Sequence, residues 1–99
     1  MSGNLPWFVD KYKENDPGYF PVVEEVVNGA MHPEVLDDKT KHLIVLALDV
    51  FKGAAQGVKV VAKQAREAGA SEEEIKEVIR LAYYVSGMDI IKTSLSAFE

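Results

Sequence analysis

Apolar residues recur along this chain at the spacing of helices and almost nowhere at the strict alternation of strands. In "PVVEEVVNG" the pairs Val22/Val23 and Val26/Val27 lie one turn apart, and Glu24 and Glu25 between them break the alternation that a strand requires. Pro21 suits the first turn of that helix, and Gly29 predicts its C-terminal cap. Upstream, Trp7, Phe8 and Tyr12 predict a short helix after Pro6, closed by the turn signal Asp16-Pro17-Gly18. Asp37 or Asp38 is placed to cap the next helix, which carries Leu43, Ile44, Val45, Leu46, Ala47, Leu48, Val50 and Phe51. It is apolar nearly all round, which predicts burial on several sides, and Gly53 ends it. Beyond a glycine-containing break, Val58, Val61, Ala62 and Ala65 form one stripe, with Lys59, Lys63 and Arg66 over much of the remaining surface and Gly69 as the stop. Ser71 and Glu74 make a capping box for a fifth helix with Ile75, Val78, Ile79 and Ala82 inward. Gly87 is expected to interrupt it before a last helix bearing Ile90, Ile91, Leu95 and Phe98. The expectation is an all-α fold of about six helices in a single domain over residues 1–99. An antiparallel hairpin of the fourth and fifth helices is expected at its centre.

Composition sharpens this picture. The 99 residues are 47% hydrophobic, and a chain this short buries only a modest fraction of its surface, so self-association is expected. Sixteen Asp and Glu against eleven Lys and Arg give a net charge of −5, which argues against nucleic acid and against an anionic membrane surface as partners. The longest apolar run, "LIVLALDVF", is far too short to span a bilayer and contains Asp49. The N-terminal stretch has no charged start followed by an apolar core, so no secretory signal is expected. With no cysteine in the chain, disulfides, thiolate metal sites and thiol chemistry are all excluded. A cytoplasmic protein without cofactor or metal is the expectation.

The stretches "LDDKTKHLIVLAL" and "AKQAREAGASEEEIKEVIRLAYYVSGM", separated by the glycine-rich break, resemble the carboxymuconolactone decarboxylase family, which includes the AhpD-like alkylhydroperoxidases of the peroxiredoxin type. The resemblance covers 36–99, and its least generic part is the "EAGASEEEI" connection at its distance from "LDDKTKHLI". It implies an AhpD-like helical domain and a homo-oligomer, a trimer or a hexamer built from three dimers.

Peroxidase-type members carry Cys-x-x-Cys, a His four residues after the second Cys and a Glu twelve residues before the first. Counted back from Gly69, the two Cys positions fall on Ala54 and Gly57, the His position on Val61 and the Glu position on His42. A peroxidatic pair needs one thiolate to attack peroxide and a second thiol to resolve the sulfenic acid, with Glu and His moving protons. Ala54, Gly57 and Val61 keep the spacing and hold no reactive atom, so the corner reads as a vacated site, a remnant pocket. Decarboxylase-type members keep a His at the position of Val61, and this chain departs from them as well.

The remaining polar candidates are few. His42 could titrate near neutrality, and Asp49, seven residues on and so on about the same helix face, could orient it; an exposed His and a packed Asp are the plainer readings. Tyr83 and Tyr84 could line a pocket or simply pack. Lys59 and Lys63 suit a solvated face, His32 a connector and Trp7 an aromatic anchor. Two histidines without a carboxylate at ligand spacing do not make a metal site. Two functions are left standing. One is an oligomeric, small-ligand-binding or non-catalytic relative. The other is an enzyme with altered proton-transfer chemistry, acting through His42 on a lactone or a small carboxylic acid.

Overall fold

The computed structural model describes residues 5–99, which form five α-helices and a closing 3₁₀ turn, with no strand among the described residues. The helices are α1 (Trp7–Asn15), α2 (Phe20–Met31), α3 (Asp38–Lys52), α4 (Ala55–Glu67) and α5 (Glu72–Ser94), and the 3₁₀ turn is Leu95–Phe98. They fall into two compact units, one up to Val35 and one from Leu36 onward. No helix among the described residues is long and apolar enough to cross a membrane.

The first unit holds α1 and α2. Pro6 sits at the N-cap of α1, and Pro21 lies in the first turn of α2, where a missing N–H costs nothing. Leu5, Val9 and Phe20 form its buried cluster, with Tyr12, Val23 and Val27 packed on it. Of the paired valines, Val23 and Val27 therefore face in, while Val22 and Val26 are exposed, as one helical stripe requires. Lys13 lies over the Phe20 ring, 5.4 Å from its centroid. Gly29 does not end α2. The helix runs two residues further to Met31, and the His32 ring donates from Nδ1 to the Asn28 carbonyl at 2.9 Å, pairing one of the last free carbonyls.

The second unit holds the remaining elements. Asp37 caps α3 by accepting from the Thr40 amide at 2.7 Å. Gly53 closes α3 in the left-handed conformation, at φ 76°, and Gly69 does the same just beyond α4, at φ 104°. In both turns the following amide reaches back to the helix, Ala54 to Asp49 O and Ala70 to Ala65 O, each at 2.9 Å, in the Schellman pattern. Ser71 and Glu74 form the expected capping box of α5. Arg66 pairs bidentately with Glu72 across the α4–α5 turn, and Lys39 reaches Glu74 at 3.0 Å to tie the starts of α3 and α5 together. The Arg66–Glu72 pair is solvent-exposed and the Lys39–Glu74 pair half-buried, and such pairs fix geometry more than stability.

Two expectations need correction. Gly87 does not interrupt the last segment; α5 is continuous for 23 residues and absorbs Ile90 and Ile91, so there are five α-helices rather than six. A lone glycine lowers helix stability by about 1 kcal/mol relative to alanine, which is too little to break a helix that is otherwise well formed. The centre of the unit is α3 rather than an α4–α5 hairpin: its most extensive packing is against α4 and then against α5. Leu46, only 1% exposed, is the largest fully buried side chain among the described residues, and it joins Val61, Ala65, Ala70 and Ile75 in the core.

Candidate functional site

α3 and α4 meet at a sharp corner, and most of the side chains singled out from the sequence lie on these two helices. His42 lies on the second turn of α3 and Asp49 near its end; Ala54 is the N-cap of α4, Gly57 its third residue and Val61 its second-turn core residue. Ala54 has no side chain able to cap α4.

The Asp49 carboxylate turns toward that uncapped end. A β-carbon placed on Gly57 would stand 2.8 Å from Asp49 Oδ2, 3.3 Å from Asp49 Cγ and 3.7 Å from the Ala54 methyl group. The space of a side chain at 57 is thus held by a carboxylate from the neighbouring helix. A negative charge beside the first turn of a helix is electrostatically favoured, because the leading N–H groups there are unpaired within the helix. Val61 is 9% exposed and points into the cluster around Leu46. His42 is half-buried and makes no side-chain hydrogen bond among the described residues. Partial desolvation, reinforced by Lys41 and opposed by Asp38, pushes its pKa below the ordinary histidine value, so the ring is neutral at neutral pH.

Open apolar surface lies elsewhere in the unit. One groove of about 210 Å³ runs between α3 and α5, lined by Thr40, Leu43, Ile44, Ala47, Val78 and Leu81. A second, of about 370 Å³, is lined by Val50, Phe51, Ile79, Ala82, Tyr83 and Ser86. Of the sequence candidates only Tyr83 lines either groove; Tyr84 is exposed, and His42, Asp49, Ala54, Gly57 and Val61 line neither. The sequence reading did not single out the groove walls, because residues such as Leu43 and Val78 look like ordinary core positions. No group of three acidic or histidine side chains among the described residues is arranged to hold a metal ion.

The geometry defines a class: a cysteine-free helical unit of three helices around a central α3, with a short-residue corner at the start of α4. The chain belongs to the carboxymuconolactone decarboxylase family, whose model matches residues 17–99 and so begins well before the 36–99 segment that carries the sequence resemblance. It is also 30% identical over 80 residues to the uncharacterized protein MJ1511 of Methanocaldococcus jannaschii, across 81% of this chain and 75% of that protein. No solved structure gives a significant match.

Proposed function

We propose that this protein is a homo-oligomeric, cytoplasmic member of the family that binds a small, mainly apolar ligand and has no thiol peroxidase activity. The observation that carries this reading is the contact of Asp49 with Gly57, together with the burial of Val61. Both favour a corner that has become a packing contact instead of a cavity awaiting a substrate. The peroxidase route needs two cysteine thiols in turn, and the chain holds no cysteine. Apolar walls broken only by Thr40 in one groove and by Tyr83 and Ser86 in the other favour a ligand that is mostly carbon. Exposed Ile44, Leu48 and Phe51 on α3 favour association, since a monomer would leave them in water. A family match that spans both compact units favours a single functional domain over the chain.

A thermal-shift screen with small aromatic acids, alkyl carboxylic acids and lactones tests the ligand. At least one class should raise the melting temperature, and Leu43→Ala or Val78→Ala should weaken that shift. Peroxide consumption supported by a dithiol should stay at the buffer rate.

The neutral, half-buried His42 favours a second reading, in which it acts as a base on a lactone or a small carboxylic acid. Turnover of such a compound that disappears in a folded His42→Gln variant would establish this reading in place of the first.

A further inference from the structure

The groove between α3 and α5 has apolar walls, but one end of it is charged. Leu43 and Val78 line it from the two helices. Four residues before each, one turn back on the same helix faces, stand Lys39 and Glu74. They meet across the helices, Lys39 Nζ donating to Glu74 Oε2 at 3.0 Å. The other carboxylate oxygen is also engaged: Glu74 Oε1 accepts from the Ser71 amide at 2.9 Å, as part of the capping box of α5. Glu74 is therefore held from two sides and is not free to swing away from Lys39. The Ser71 amide first, and then the Lys39 ammonium, hold its carboxyl below the usual carboxylate range, so it stays ionised near neutral pH. The other charges flanking the walls are balanced in sign as well. Lys41 pairs with Asp38 at 3.6 Å, and Glu77 lies three residues from Arg80 on α5.

We infer that the Lys39–Glu74 pair sets the specificity of this groove, and that the ligand class it admits is uncharged: a compact ring compound with a carbonyl or hydroxyl at one end. The inference rests on the small-ligand reading above and narrows it, setting carboxylates aside. A carboxylate in the groove would leave water for apolar walls, and the nearest cation already holds a carboxylate. The newcomer would sit against Glu74 as a like charge. A cationic ligand meets the mirror problem at Lys39. A neutral carbonyl or hydroxyl escapes both penalties and has the Thr40 hydroxyl, the one side-chain hydroxyl on the walls, as its partner. At about 210 Å³ the groove is smaller than the ~300–1,000 Å³ of pockets for drug-sized ligands, so a single ring suits it.

Three probes of nearly one shape test this on the full chain: benzamide, benzoate and benzamidinium, neutral, anionic and cationic. Each is titrated into the protein while backbone amide shifts are followed by NMR. Benzamide should bind more tightly than either ion, by about fivefold or more, the scale of one half-exposed charge pair. Its shifts should centre on Thr40, Leu43 and Val78. Unpairing the bridge should then move the preference in opposite directions. Glu74→Gln keeps an acceptor for the Ser71 amide and frees Lys39, so benzoate should gain about fivefold. Lys39→Met frees Glu74, so benzamidinium should gain instead. Benzamide should change little in both. The two replaced side chains are 37% and 38% exposed, and the amide spectrum itself reports whether each variant is folded. Parent protein that takes benzoate in this groove as well as benzamide would overturn the inference and leave the small-ligand reading standing. So would a folded Glu74→Gln with no gain for benzoate, or shifts centred on Tyr83 and Ser86 of the other groove. No saturable shift from any of the three probes would overturn both. The comparison in the parent decides the matter even where a variant fails to fold.

Discussion

At Gly57, helix propensity and crowding pull in opposite directions. Alanine in place of glycine inside a helix gains about 0.5–1 kcal/mol, while a methyl group here must displace the Asp49 carboxylate from 2.8 Å. Overpacking typically costs about 1–3 kcal/mol, and a carboxylate at the end of a side chain yields more cheaply than backbone would. Gly57→Ala alone should therefore change stability by less than about 1 kcal/mol. In an Asp49→Ala background the same change should stabilise by about 0.5–1 kcal/mol, as read by urea unfolding in a double-mutant cycle. Equal effects in both backgrounds would show that the carboxylate does not occupy this space. His42 offers a second test at this scale. Its folded-state pKa lies below the ordinary value, so the unfolded chain binds its proton more readily. The histidine's contribution is present above about pH 6.5 and is lost as pH falls through the folded-state value. Stability measured from neutral to mildly acidic pH should slope less steeply in His42→Gln than in the parent. The placement of His42 on α3 and of Ala54, Gly57 and Val61 at the start of α4 was legible, because spacing along a helix is a property of sequence. That Asp49 fills the corner was not legible, since the contact joins two helices and neither residue type announces it.

Among the elements, capping was the most readable feature and glycine the least. Asp37, the Ser71–Glu74 box and the stops at Gly53 and Gly69 all follow from local chemistry, in which a side chain or a φ angle serves the backbone groups beside it. Gly29 and Gly87 have the same composition signal, yet both lie inside helices. Glycine permits a left-handed stop at all four sites, but only Gly53 and Gly69 adopt it, while at 29 and 87 the backbone continues as helix. One substitution should therefore have opposite signs at two sites. Gly87→Ala, where an added methyl group meets nothing within 4 Å, should raise stability by about 0.5–1 kcal/mol. Gly53→Ala, at φ 76°, should lower it by about 1 kcal/mol, because a β-carbon is strained there. Differential scanning calorimetry would read each as a shift of several degrees for a chain of this length.

For the whole molecule, the mismatch between apolar content and buried core is the dominant physical fact. Phe51, Ile79, Leu81, Ile90 and Phe98 all remain exposed, and the core around Leu46 is small. If association covers this surface, the folded state is linked to protein concentration by mass action. The melting temperature should rise measurably over about a hundredfold increase in concentration. A concentration-independent value for the unaltered chain would mean that a monomer tolerates its apolar surface.

Sequence by itself determined the helical class, the four caps named above, the absence of thiol chemistry and the family. Each depends on residue identity and on spacing within a few turns. Tertiary structure decided that α3 is central, that Asp49 closes over Gly57, that Val61 is core, and that the apolar grooves run between α3 and α5. These depend on which face of one helix meets which face of another. A helix that is apolar on several sides, as α3 is, carries no sequence signal to say which side a neighbour will cover; packing decides that, one interface at a time.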